Sequence, residues 1–174
     1  MILAVTLGED KDEACYRVIS PAYAGAPLSG MGAARQGGRF NRPGQEALYL
    51  SLDETTAWRN TSRTTPGCGR ARSALFSSAD CGSLTSAPFD PANWPPLWAD
   101  FSVDWRTEWF GKSVEPPSWY MADDVVSEGL DGILFPSQAR PSGLNLVVYR
   151  SSSRPLDQLR VYDPDGALRK IAPR

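Results

Sequence analysis

Histidine is absent from this 174-residue sequence, and that gap removes much of ordinary enzyme chemistry. A Ser-His-Asp triad, a Cys-His pair, an H-E-x-x-H zinc helix and a histidine-based zinc deaminase all need an imidazole. Catalysis here is left to carboxylates, hydroxyls, Arg/Lys, Cys or a bound cofactor. A basic excess is lacking too: 18 Lys+Arg against 20 Asp+Glu give a formal net charge of -2, which argues against nucleic acid as a direct partner. The three cysteines, Cys15, Cys68 and Cys81, are odd in number and form no C-x-x-C pair. Neither a disulfide framework nor a zinc site is expected, and a reducing compartment fits best. Met1 to Leu7 is apolar but has no basic stretch before it and Glu9, Asp10, Asp12 and Glu13 after it, the reverse of a secretory signal. No apolar run is long enough to span a bilayer. These absences lead us to expect a soluble, cytosolic, single-domain protein without membrane contact.

What is present is a core-forming 41% of hydrophobic residues, punctuated by 15 Gly and 15 Pro, which suits many short α and β elements better than a helical bundle. Val5 to Leu7 and Tyr16 to Ile19 read as strands, and Ser20 to Gly38 as a long irregular loop whose length hints at function. Ala47 to Leu50 reads as a buried strand. Ser51 and Glu54 have the spacing of a capping box, so a helix is expected from Ser51 to about Asn60. Thr61 to Pro96 is rich in Ser, Thr, Gly and Pro, with one strand expected near Ala74 to Ser77. Trp94, Trp98, Trp105 and Trp109 form a cluster that suits core packing beneath loops better than a ligand platform. Ser118 is placed to cap a second helix, with Trp119, Ala122, Val125 and Val126 near one face and Gly129 to stop it. Gly132 to Phe135 and Leu144 to Tyr149 read as strands around a turn, Pro136 to Gly143, and a last strand precedes a turn at Asp163, Pro164 and Gly166.

The densest unusual patch is Gly37-Gly38-Arg39-Phe40-Asn41-Arg42-Pro43-Gly44, close to Arg35. Two or three guanidiniums on a glycine-rich loop suit a pyrophosphate, because each offers a bidentate fork and glycine lets the backbone approach. A solvated basic turn explains the same residues. Gly30-x-Gly32 is no dinucleotide fingerprint, since Arg35 holds the third glycine position and no strand leads into it. No P-loop pattern occurs. Ser137 and Asn145 flank the turn between two strands; a serine without histidine or a neighbouring lysine is suited to hydrogen bonding rather than nucleophilic attack.

Tyr16-Arg17, Ala26-Pro27-Leu28-Ser29-Gly30, the Gly37 to Gly44 patch, Ala47-Leu48-Tyr49-Leu50-Ser51-Leu52 and Thr56-Ala57 resemble, in order and spacing, the RES domain family. Pro117-Ser118-Trp119, Gly132 to Ser137, Asn145-Leu146-Val147 and Asp163-Pro164 resemble its second half. The resemblance implies one α+β domain over 1–174, with 1–14 as an N-terminal extension and 166–174 as a tail. It further implies an ADP-ribosyltransferase-like fold, with a mixed or antiparallel central sheet and flanking helices around an NAD cleft. Members are typically bacterial toxins that split NAD+ by phosphorolysis or hydrolysis, or transfer ADP-ribose to protein, and are paired with an Xre-type helix-turn-helix antitoxin. NAD+ is then substrate, with no cofactor or metal, the site of action is the cytoplasm, and a homodimer is compatible. Carried over, the family Arg falls on Arg39 and the Ser on Ser137, with Arg17, Asn41, Tyr49 and Asn145 at other cleft positions. Arg17 and Arg39 are expected to hold the diphosphate, Tyr49 to stack on nicotinamide or ribose, and Ser137 and Asn145 to orient oxygens.

One departure stands out: where the family reads Thr-Ala-x-x-Glu, Thr56-Ala57-Trp58-Arg59 leads to Asn60. A carboxylate there would stabilise the oxocarbenium-like ribose; asparagine keeps hydrogen bonding without charge. On a helix, Glu54 lies about 120° round from Asn60, and Asp53 shares its face but sits about 10 Å away along the axis. Asp100, Asp104 and Glu108 are acids that another element could bring in. A natural variant, an inactivated form and an alignment offset of a residue or two all remain open as accounts of Asn60. A module that binds NAD or an antitoxin without turnover is the non-enzymatic alternative.

Overall fold

The short apolar runs become strands of one mixed sheet. The computed structural model describes residues 5–7, 13–19, 23–64, 75–81, 84–87, 96–150, 159–163, 166 and 168. In chain order these form β1 (Val5–Leu7), β2 (Glu13–Ile19), α1 (Met31–Gln36), β3 (Ala47–Ser51), α2 (Glu54–Thr64), β4 (Leu75–Cys81), β5 (Leu84–Ala87), a 3-10 turn (Pro96–Trp98), a π-helical turn (Thr107–Gly111), α3 (Pro117–Ser127), β6 (Gly132–Pro136), β7 (Leu144–Tyr149) and β8 (Leu159–Tyr162). The sheet order is β1-β5-β6-β7-β3-β2-β4-β8. Only β5 and β6 pair in parallel; every other neighbour is antiparallel. The fold is α+β, as expected.

Strand β3 lies in the middle, and its residues are buried on both faces, which is why Ala47 to Leu50 reads as a continuous apolar run. On one face Ala47, Ile133, Phe135, Val147 and Tyr149 pack with Phe40, Trp98 and the α3 residues Met121, Ala122 and Val125. On the other, Leu48, Leu50, Leu146 and Val148 pack with Cys15 and Leu159. The register on the α3 face matters most for the site. Ala47 pairs with Tyr149, Tyr49 with Val147 and Ser51 with Asn145, so the face turns from apolar to polar at one end.

Several local expectations are corrected. The stretch read as an irregular loop holds α1, whose N-terminal Gly30 packs on β3: a Cβ there would lie 2.9 Å from the Ala47 nitrogen. Helix α2 starts later than Ser51, because Asp53 is its cap, its Oδ1 accepting from the Thr56 nitrogen at 2.9 Å. That frees the Ser51 hydroxyl for other work. Ser118 does not cap α3, whose N-cap is Pro116; Ser118 is buried and donates to the Arg39 carbonyl. Met121 rather than Val126 completes the buried face of α3, and Gly129 at φ 74° ends it as expected. Cys15 is disulfide-bonded, against the expectation of reduced thiols.

Trp98 and Trp105 are buried and Trp109 tilts on Trp119 with ring centroids 4.8 Å apart, the packing role foreseen for the cluster; Trp94 lies outside the described residues. Strand β5 escaped the sequence reading, while β4 and β8 fall where strands were expected. Of the 1–14 stretch, β1 pairs with β5, and in the tail Leu168 is buried with its nitrogen donating to Asp163 Oδ2 at 3.0 Å. Within the described residues no helix is long and apolar enough to cross a membrane.

Candidate functional site

The polar end of the α3 face opens into a cleft of about 710 Å³, a size ordinary for small-molecule sites. Arg17, Arg39, Tyr49, Ser51, Asn60 and Asn145 line it, together with Phe101 to Ser102, Asp104 to Arg106 and Gln138 from the two covering loops.

Four side chains, from β3, α2, β7 and the loop after β6, form one hydrogen-bonded cluster. Asn60 on α2 donates from Nδ2 to Asn145 Oδ1 on β7 at 2.7 Å and to Ser51 Oγ on β3 at 3.2 Å. Ser51 Oγ donates to the same Asn145 oxygen at 2.9 Å, and Ser137 Oγ, just past β6, donates to Asn60 Oδ1 at 2.9 Å. Asn60, Asn145 and Ser137 were all named from sequence, and the fold brings them together, although Ser137, unlike the other two, is not among the residues that line the cleft. Ser51 was missed because it resembled a helix cap. Strand alternation from Tyr49 was the available signal, since residues two apart share a face.

The glycine-rich loop is clamped from both sides. The Phe40 nitrogen donates to the Tyr49 hydroxyl at 2.9 Å, that hydroxyl donates to Asn41 Oδ1 at 2.8 Å, and Tyr149 donates to the Phe40 carbonyl at 2.8 Å. Trp119 Nε1 donates to the Gly38 carbonyl at 2.8 Å. A Cβ at Gly38 would lie 2.5 Å from the Tyr49 hydroxyl, so glycine is required for this approach. Burial pushes the Tyr49 phenol well above its ordinary range, partly opposed by its bond to Phe40 and by Arg39 and Arg106. Tyr49 is therefore a neutral wall of the cleft rather than a base.

Asn41 lies elsewhere than the cleft wall expected of it. It is fully buried, and its Nδ2 donates to the carbonyls of Ala33, Arg42 and Gln45, holding the loop together. Arg42 also leaves the expected cationic grip. It pairs with Glu115 at 2.8 Å and Asp123 at 2.6 Å and lies over Trp119, binding the loop to α3.

Arg39 does reach the cleft. Its NH1 donates to the carbonyls of Phe101 and Val103, both at 3.0 Å, and NH2 to Gln138 Oε1 at 2.8 Å. Gln138 Nε2 donates onward to the Ser102 carbonyl at 3.1 Å. Arg39 and Gln138 thus latch the strap 101–103 against the β6–β7 loop. Arg17 borders the cleft with its NH1 on the carbonyls of Pro27 and Ser29 at 3.1 and 2.9 Å, and burial lowers its pKa from the ordinary value.

Among the described residues Asp104 is the one carboxylate that lines the cleft; Asp53, Glu54, Asp100 and Glu108 do not. Its oxygens accept from Thr107 Oγ1 at 3.0 Å and the Arg106 nitrogen at 3.1 Å, capping the helical turn that follows. The Thr107 bond, with the Arg106 bond and the charges of Arg106 and Arg39, outweighs desolvation and holds it below the usual carboxylate range. No group of three or more His, Cys, Asp or Glu among the described residues is arranged to hold a metal.

Known proteins share this sequence pattern and this architecture. The chain is 24% identical over 138 residues to "Toxin Res" of Yersinia enterocolitica serotype O:8 / biotype 1B, covering 76% of this chain and 81% of that protein. Its fold matches a chain in the crystal structure of the M. tuberculosis MbcT-MbcA toxin-antitoxin complex, with a TM-score of 0.61 at 22% identity over 91% of this chain and 84% of the other. The RES domain profile matches residues 14–170, a span that takes in the glycine-rich loop, the Asn60 cluster and both covering loops, and on that ground the chain belongs to the RES domain family.

Proposed function

We propose that this chain is the toxin of a toxin-antitoxin pair and that it cleaves NAD+ at the bond between nicotinamide and ribose. The observation that carries the reading is the cluster of Asn60, Asn145 and Ser51, bonded through Asn60 to Ser137, which presents amide and hydroxyl groups of the first three residues to a cleft also lined by Tyr49 and three guanidiniums. Such a lining suits a ligand with sugar hydroxyls and a diphosphate. The relatives' names, a toxin and a toxin-antitoxin complex, support the biological half of the reading.

The chemistry asks little of the protein. The bond between ribose C1′ and the pyridinium nitrogen breaks, its electron pair leaves with neutral nicotinamide, and positive charge develops on the ribose. Phosphate or water then attacks C1′, and water gives up a proton to solvent. The protein binds, orients and stabilises charge, which explains how a sequence without histidine suffices. Asp104 is the carboxylate the cleft offers to the developing cation, in place of the glutamate that the family pattern puts at position 60.

A second reading, an NAD-binding module without turnover, is favoured by Asn60 itself, a neutral amide at the position where the family pattern puts a glutamate. Incubating the protein with NAD+ and following nicotinamide release, with and without phosphate, separates the two. Release in either buffer is expected; binding without release would leave the module, and labelling of a lysate protein from radiolabelled NAD+ would point to ADP-ribose transfer instead. The partner is proposed to be a helix-turn-helix antitoxin, through which any DNA contact would run.

A further inference from the structure

Three guanidiniums border the cleft, and they differ in what their donors already do. Arg17 NH1 is committed to two backbone carbonyls and Arg39 to two carbonyls and Gln138. To meet a ligand with those same donors, either would have to release the loop it holds. Arg106 is different. It is exposed, its guanidinium carbon sits 4.5 Å from the centroid of the Trp105 ring, and that side chain makes no hydrogen bond or ion pair with another group among the described residues.

We infer that Arg106 is the diphosphate ligand of this cleft, a role that the sequence pattern had placed on Arg17 and Arg39. Two features make it suited. Trp105 is buried, so stacking holds the exposed guanidinium on a fixed platform at the border of the cleft. Its backbone is fixed as well, since the Arg106 nitrogen donates to Asp104 Oδ1 at 3.1 Å at the start of the helical turn. The fork borders the same cleft as a polar cluster suited to sugar hydroxyls, and a planar guanidinium takes a diphosphate bidentately. Arg17 and Arg39 then shape the site: Arg17 by fixing the loop at 27–29, Arg39 by fixing the strap 101–103 that leads into Arg106.

This inference rests on reading the cleft as a dinucleotide site, and calorimetry on the intact protein tests the two separately. ADP-ribose, inorganic pyrophosphate and adenosine serve as probes, on wild type and on Arg106→Gln, Arg106→Lys and Arg150→Gln. Arg150 is exposed, pairs with Glu46 and lies off the cleft. Arg106→Gln is expected to weaken ADP-ribose and pyrophosphate about tenfold or more while leaving adenosine and the melting temperature unchanged. Arg106→Lys should recover only part of the loss, because an ammonium has no fork. Arg150→Gln should bind all three as wild type does. Unchanged ADP-ribose affinity in Arg106→Gln overturns the inference, and so does an equal loss for adenosine, which would make Arg106 structural. A wild-type protein that binds neither ADP-ribose nor adenosine overturns the dinucleotide reading beneath it.

Discussion

Asn60 and Asn145 meet amide to amide, Nδ2 of the first 2.7 Å from Oδ1 of the second, although 85 positions separate them in the chain. The contact joins α2 to the polar end of the β3–β7 ladder, and Ser51 and Ser137 complete it from the remaining sides. A glutamate at position 60 could still accept from Ser137 but, ionised, could not donate to Asn145. The cluster as it stands is built for a neutral group.

Asn60→Glu is expected to raise nicotinamide release about tenfold or more, because a charge placed among Ser51, Ser137 and Asn145 acts directly on the ribose cation. Asn60→Ala leaves Ser137 and Asn145 short of partners and should lower stability by about 1–2 kcal/mol, read by urea unfolding. A glutamate variant no faster than the parent would mean that charge at this position is not what limits the reaction.

Asp104→Asn separates the two roles of Asp104. Asparagine caps helices as well as aspartate, so the melting temperature should hold, while loss of the cleft's carboxylate should cut turnover about tenfold or more. Full activity in this variant would remove Asp104 from the chemistry.

Two glycines should respond with opposite signs. Gly38→Ala places a Cβ 2.5 Å from the Tyr49 hydroxyl and should destabilise by about 1–3 kcal/mol through overpacking. Gly32, in α1, has nothing within 4 Å of its built Cβ, so Gly32→Ala should stabilise by about 0.5–1 kcal/mol. Thermal melts of the pair check both; a neutral Gly38→Ala would contradict the close approach of loop and tyrosine.

Acid should weaken the fold through specific carboxylates. Desolvation raises Asp53, but its bonds to Thr56 and Arg140 prevail and hold it low; the Arg42 hydrogen bond does the same for Glu115 against desolvation. Groups depressed in the folded state add stability that is present above their unfolded pKa, about 4, and is lost as pH falls through the folded values. Unfolding free energy should therefore drop below about pH 4, and Asp53→Asn with Glu115→Gln should flatten that drop. An unchanged slope would show that other carboxylates dominate.

Much of the fold is legible because periodicity reports burial: β3, β6 and β7 stand where apolar runs end at turn residues. Helix boundaries were less legible. Ser51 and Asp53 are both good caps in isolation, and only the pairing of Ser51 with Asn145 in the sheet decides that Asp53 takes the cap. Met121 and Val126 likewise compete for one helix face until the sheet beneath α3 chooses.

Without histidine, the sequence alone excluded imidazole chemistry, and its ordered motifs pointed to a family, because residue types limit which reactions are available. Tertiary structure decided which of those residues act together. It gathered Asn60, Asn145, Ser51 and Ser137 into one cluster, drew Asn41 and Arg42 into holding the glycine-rich loop, and fastened Arg17 and Arg39 to carbonyls. An arginine in a sequence is five donors with no partners assigned, and only packing in three dimensions fastens Arg17 and Arg39 to carbonyls while it lays the Arg106 guanidinium over Trp105.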